Sequence, residues 1–218
     1  MKLLQNFFWV LLLLQTACFE IIEETHIQEN GAGSLKIILN MSQSKSKISS
    51  LMALDSLNGY KIPKIAEIKS KIAEINAKLS EQDGISQVQT ETNFEEFIFV
   101  VSCQFTDAKK LDQAIVQTIR YFDKQKTEIP ENNFLYQNKT LSRKFDQLAE
   151  KIVLKDQKLK ESLSQAFYTS IYRMPNSIFS VSNPDFKLSK SKKASLFKAS
   201  VWEIISKQKS ISVTIRHQ

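Results

Sequence analysis

The chain has 218 residues, 42% apolar and 24% charged, with a formal net charge of +7 and two cysteines. A chain of this size buries roughly 70% of its unfolded surface in one large or two small domains, so a small disulfide-stapled scaffold is excluded. The basic excess at Lys187, Lys190, Lys192, Lys193 and Lys198, and between Lys139 and Lys160, alternates with serines or acids. No aromatic ladder accompanies it, so these lysines read as solvated faces and no nucleic-acid partner is expected. Attraction to acidic lipid headgroups beside a membrane anchor is the functional alternative.

Residues 1–17 have the order of an export signal. Lys2 supplies a minimal positive start, residues 7–14 form an unbroken apolar run, and Gln15-Thr16-Ala17 leads to Cys18. The run is far short of the ~20 residues of a spanning helix, and Glu20, Glu23 and Glu24 follow with no stop-transfer pattern. Leu14-Gln15-Thr16-Ala17-Cys18 resembles the bacterial lipobox at Leu14, Ala17 and Cys18 and departs from it at Gln15. Under that resemblance the mature chain, residues 18–218, begins at Cys18 carrying a diacylglycerol. Two or three acyl chains then hold the protein on a bilayer, each buried methylene contributing ~0.8 kcal/mol. Phe19, where many Gram-negative inner-membrane lipoproteins carry Asp, points to the outer membrane. The alternative is a secretory signal in which Cys18 is incidental. Either way Cys103, within an apolar run, has no partner in the mature chain and reads as a buried, inert thiol.

Along the mature chain, 20–28 and 35–42 are β-rich runs separated by Glu29-Asn30-Gly31-Ala32-Gly33-Ser34, which predicts a hairpin. His26 lies in the first arm and His217 at the far terminus; each reads as a lone exposed strand histidine. A short helix is expected over 49–57, where Asp55-Ser56-Leu57 matches the O-glycosylation acceptor pattern of exported Bacteroidetes proteins and makes Ser56 a candidate acceptor. Pro63 opens the clearest helix, with Ile65, Ile68, Ile72, Ile75 and Leu79 stepping by three or four, and Asp83-Gly84 closes it. A strand over 85–92 follows. In 94–105, Phe97, Phe99, Val101, Cys103 and Phe105 share one face and Ile98 and Val100 the other, which predicts a central strand covered on both sides. Thr106 or Asp107 caps a helix with the stripe Leu111, Ile115, Ile119 and Phe122.

Ile129-Pro130-Glu131 breaks this pattern and suggests two subdomains, 18–128 and 129–218. Residues 134–164 are ambiguous between strand and helix; a strand to about Ser142 followed by a helix to Ser164 fits best. Strands are expected over 166–173, 177–182, 194–205 and 211–216. The fold class is therefore α+β, with helices packed on one face of mostly antiparallel sheet and a β-rich C-terminal half.

The segments Asn30-Gly31-Ala32-Gly33-Ser34, Asn40-Met41-Ser42 and Asp83-Gly84-Ile85-Ser86 resemble an uncharacterised lipoprotein family of Bacteroidetes. Tyr172-Arg173-Met174-Pro175, residues 178–183 and the closing strand are similar, more distantly, to LppM-type envelope domains. The resemblance implies an envelope location and a sheet-and-helix domain of the kind likened to lipid-binding folds, and it carries over no catalytic residue. LppM-type domains typically lead into a C-terminal transmembrane helix; none is written before Gln218, so anchoring is expected to rest on Cys18.

Two functional classes follow. One is a non-enzymatic lipoprotein that binds an apolar ligand or another envelope protein, motivated by the anchor and by the aromatic strands around 97–105 and 167–181. Among 14 Phe, filling the core is the plain alternative for those aromatics. The other is a secreted or periplasmic hydrolase. No nucleophile elbow or His pair supports it, and the Ser and Lys residues of Lys187-Leu188-Ser189-Lys190 fall in a loop. No catalytic residue, cofactor site or metal-ligand set is expected.

Overall fold

The computed structural model describes residues 19–57, 60–122, 132–144 and 157–218. Its strands are β1 (Glu20–Ile27), β2 (Gly33–Asn40), β3 (Ser56–Leu57), β4 (Tyr60–Lys61), β5 (Ile85–Asn93), β6 (Ile98–Phe105), β7 (Phe134–Gln137), β8 (Thr140–Arg143), β9 (Phe167–Arg173), β10 (Ile178–Val181), β11 (Lys187–Leu188), β12 (Ala194–Ser200) and β13 (Val213–His217). The helices are α1 (Lys45–Met52), α2 (Ile65–Ser80), α3 (Ala108–Phe122), α4 (Gln157–Ser164) and α5 (Val201–Ile205). The fold class is α+β, as the sequence indicates.

The predicted hairpin of β1 and β2 forms in register from Glu20 opposite Asn40 to Ile27 opposite Gly33. Gly33 is required there, because a Cβ on it would stand 1.9 Å from the His26 carbonyl oxygen. This hairpin is the middle of a seven-stranded sheet ordered β11-β12-β9-β1-β2-β6-β5. Neighbours are antiparallel except β1 and β9, which run parallel from Glu20 opposite Phe167 to His26 opposite Arg173. The sheet thus draws strands from both sides of residue 128. A second sheet of four strands, β10-β13-β8-β7, packs on it, and β3 and β4 form a small ribbon.

Strand alternation puts Glu23, Thr25, Ile27, Leu35, Cys103, Phe105, Ser170, Tyr172 and Phe197 on one face of the large sheet, where all are buried. Helices α2 and α3 cover that face over β2, β6 and β5. The small sheet covers it over β1, β9 and β12, with Phe134, Leu141, Val213 and Ile215 buried between the sheets. Phe134, Tyr172, Phe186 and Phe197 meet in sequence at centroid distances of 5.0–6.3 Å and knit the two sheets together.

Several elements differ from those expected of the sequence. Strand β6 is second from the edge, and only its Phe99 to Phe105 face is covered by helices; Ile98 and Val100 on the other face are half-buried. The strand expected over 194–205 stops at Ser200, which begins α5: its Oγ accepts from Glu203 N at 3.2 Å while the Glu203 carboxylate accepts from Ser200 N at 2.8 Å. The first short helix lies at Lys45–Met52, before the expected 49–57. Residues 134–143 are a two-strand hairpin, and the helix ending at Ser164 is described from Gln157; the expected helix over 145–156 lies outside the described residues. Helix α2 starts at Ile65, with the Glu67 carboxylate accepting from Lys64 N at 2.8 Å. Asp107 is the cap of α3, accepting from Lys110 N at 3.0 Å.

Candidate functional site

Beneath α2 and α3 lies a groove with a cavity of about 250 Å³. Leu35 and Ile37 of β2 with Val101 and Cys103 of β6 make its floor, and Ile75 and Leu79 of α2 with Leu111, Ile115 and Ile119 of α3 make its walls. The stripes of both helices and the alternation of both strands deliver these side chains to one place. They do not close it: Ile37 is 36% and Ile119 39% exposed, and these two mark the mouth. Across the tops of the helices, Tyr121 Oη donates to Glu74 at 2.8 Å, and Lys71 lies 5.2 Å from the Phe122 ring. The lining is hydrocarbon except for Ser102, Cys103 and Thr118, and Thr118 Oγ1 is buried with no hydrogen-bond partner among the described residues. Cys103 sits in the floor, and burial pushes its thiol up to about 11, so it is protonated and unreactive at neutral pH.

Next to the groove, where Ile37 stands opposite Glu23 in the β1/β2 register, a buried ionic cluster joins the two sheets. Glu23 accepts from Tyr168 Oη at 2.7 Å, from Tyr172 Oη at 3.2 Å and from Arg143 of β8 at 3.4 Å. Burial opposes the Arg143 charge, but the Glu23 carboxylate outweighs it and holds the guanidinium above its ordinary pKa. Burial, reinforced by the same carboxylate, raises the pKa of both tyrosines, so they remain protonated donors. Asp112 of α3 accepts from Asn132 N at 2.7 Å and Asn133 N at 3.1 Å, pinning α3 to the start of β7, and burial raises its pKa. This cluster was not expected from the sequence, although Glu23 falls on the buried face of β1 and Arg143 shares the buried face of Leu141; those placements are the available signal.

The candidate residues of the sequence distribute as follows. Cys18 lies outside the described residues. Ser56 is exposed in β3, opposite Lys61. Cys103 is buried as expected. His26 is exposed, but His217 is not: it is 2% exposed, stacked on Tyr136, with Nε2 2.8 Å from Tyr136 Oη and Nδ1 2.8 Å from the Gln218 carbonyl. The closing strand β13 carries it between β10 and β8, which sequence periodicity alone does not reveal. Ser189 closes a turn, its Oγ accepting from Ala194 N at 3.1 Å and 3.1 Å from Ser191 Oγ. Among the described residues no group of three or more His, Cys, Asp or Glu side chains could hold a metal ion. Among them, too, no helix is long and apolar enough to cross a membrane.

The geometry defines a two-sheet α+β domain with an open apolar groove. No family model and no curated protein matches the chain. Among solved structures, the NMR structure of the folded domain of the Mycobacterium tuberculosis protein LppM is similar, over 91% of this chain and 89% of that one, with a TM-score of 0.41 and 10% sequence identity. At that distance the likeness carries no chemistry from one chain to the other.

Proposed function

We propose that this chain is an exported lipoprotein, anchored to the bacterial cell envelope through acyl chains on Cys18, whose domain takes an apolar ligand into the groove under α2 and α3. The groove itself carries the reading. Its volume of about 250 Å³ is just under the roughly 300–1,000 Å³ of small-molecule pockets and suits a single acyl chain. Ile37 and Ile119 at the mouth face water although their stripes also carry the buried Leu35 and Leu111, and a hydrocarbon guest would cover them at about 25 cal/mol per Å² removed from solvent. Thr118 Oγ1 offers a hydrogen bond to a polar atom of that guest. The role is binding, with no bond made or broken: the Cys103 thiol in the floor is held in its inert form.

Two measurements test the two halves of this reading. Metabolic labelling with an alkyne fatty acid marks the wild-type chain and fails to mark Cys18→Ala if the anchor is real. Solvent extraction of the purified chain, followed by mass spectrometry, is expected to release a fatty acid or acyl lipid. The Ile119→Trp variant, which fills the mouth, should release at least fivefold less while melting at the same temperature. A wild-type chain that releases no acyl species on extraction and takes up no fluorescent fatty acid would sink the groove reading.

A further inference from the structure

The described chain begins hard against the sheet. The Phe19 carbonyl accepts a hydrogen bond from Phe167 N at 2.9 Å, and β1 starts at the next residue. Acyl chains on Cys18 would therefore leave the domain within one residue of its edge, a span of ~3.5 Å, so the edge itself must meet the bilayer. The topology gathers a particular set of side chains there. Strands β1, β6 and β9 start at this end, β2, β5 and β12 finish at it, and α5 follows β12 without a break.

On this rim Phe167 is 37% exposed with Lys198 Nζ 5.0 Å from its ring centroid and 2.8 Å from the Glu20 carboxylate, which partly offsets that charge and leaves Lys160 as the main cation of the rim. Half-buried Trp202 of α5 has Lys160 Nζ 4.9 Å from its ring, and Val201 N donates to the Ala166 carbonyl, tying α5 to the start of β9. Leu54 and Ile65, at the α1 and α2 side of the same end, are exposed as well. Aromatic rings with lysine stems folded over them are the side chains that sit at headgroup depth, ring toward the acyl region and ammonium toward phosphate.

The strongest lysine cluster is elsewhere. Lys190, Lys192 and Lys193 occupy the turn between β11 and β12, beyond the Arg173 and His26 end of the sheet. Six residues of strand, about 20 Å at ~3.3 Å per residue, separate that turn from the rim. This exceeds the ~8–10 Å Debye length at physiological salt, so those lysines cannot be what an anchoring bilayer attracts.

We propose that the rim bearing Phe167, Trp202, Lys160 and Lys198 lies on the anionic phospholipid surface that receives the Cys18 acyl chains, with the Lys190 to Lys193 turn pointing away from it; the proposal rests on the lipoprotein reading above. Once Trp9 is removed with the signal, Trp202 is the single tryptophan of the mature chain and reports on the rim. The full chain, matured in a bacterial host, is reconstituted into phosphatidylethanolamine and phosphatidylglycerol vesicles with brominated acyl chains. Trp202 emission should fall by half or more, and Lys160→Glu with Phe167→Ser should remove most of that quenching without altering the melting curve. A distal reporter, Leu188→Trp in a Trp202→Phe background, should be unaffected. If that background does not fold, a nitroxide on Lys190→Cys, read by its collisions with lipid-dissolved oxygen, gives the distal answer. Mass analysis of the N-terminal peptide separates the failures. An unacylated Cys18 overturns the anchored reading and this proposal with it. An acylated chain with unquenched Trp202, or with rim and distal reporters quenched alike, overturns the docking alone.

Discussion

Glu23 is the residue on which the two sheets depend. It is the acceptor for Tyr168, Tyr172 and Arg143, side chains from β9 and β8, and the Arg143 and Glu23 side chains are only 10% and 11% exposed. Removing one member of a buried pair strands the other charge, which costs about 3–5 kcal/mol, whereas replacing both with hydrocarbon is often neutral. Glu23→Gln should therefore lower the unfolding free energy by about 3 kcal/mol or more in urea titrations, and the pair Glu23→Leu with Arg143→Met should recover most of it. An unfolding free energy unchanged by Glu23→Gln would show that the Glu23 to Arg143 pair across the sheets adds nothing net. Cys103 gives a second test. Its folded pKa of about 11 stands above the unfolded value of 9.0, so the unfolded chain loses its thiol proton first as pH rises. The contribution is complete below about pH 9 and falls away between 9 and 11, by roughly 2–3 kcal/mol over that window. Cys103→Val should lack this part of the decline, which a pair of pH–stability curves would show.

At the scale of elements, local chemistry was legible wherever the chain speaks to its near neighbours. The β1/β2 turn, the stripe of α2, the Asp107 cap and the alternation of β6 all stand close to where the residues put them. Ser200 was legible in principle too, since Ser200-Val201-Trp202-Glu203 has the spacing of a capping box, but the apolar run around it reads equally as strand. Ser200→Ala should cost ~1 kcal/mol of stability, and a loss below a few tenths in chemical denaturation would show α5 to be held by packing alone. Gly33→Ala should do far more. Its Cβ would collide with the His26 carbonyl and Phe105, both fixed in the central hairpin, and the variant is expected to yield little folded protein by circular dichroism. What the residues could not announce is partnership across the chain. The groove walls were visible as two helical stripes and two strand faces; where α3 lies over them is set by contacts across the chain, among them Asp112 with Asn132 and Asn133. The burial of His217 likewise depends on Tyr136, which is 81 positions away.

For the molecule as a whole, the decisive feature is that β1, the first strand of the described chain, has the last part of the chain as one of its two neighbours. Thr169 donates to Glu20 across 149 positions, and Lys198 reaches the same carboxylate across 178. Deleting everything after Ser164 should therefore remove β9, β12 and the cooperative unfolding transition together, as a melting curve would reveal; a truncated chain that still melts sharply would show that β1, β2, β6 and β5 suffice. Contacts so distant in sequence also slow folding, because loop-closure entropy is lost before the pairing repays it. During synthesis, then, the central strand of the sheet emerges first and waits with one edge open until nearly the whole chain has followed. A chain built this way stays threadable for as long as it is being made, and its unpaired hairpin edge is what a holding chaperone would have to shield.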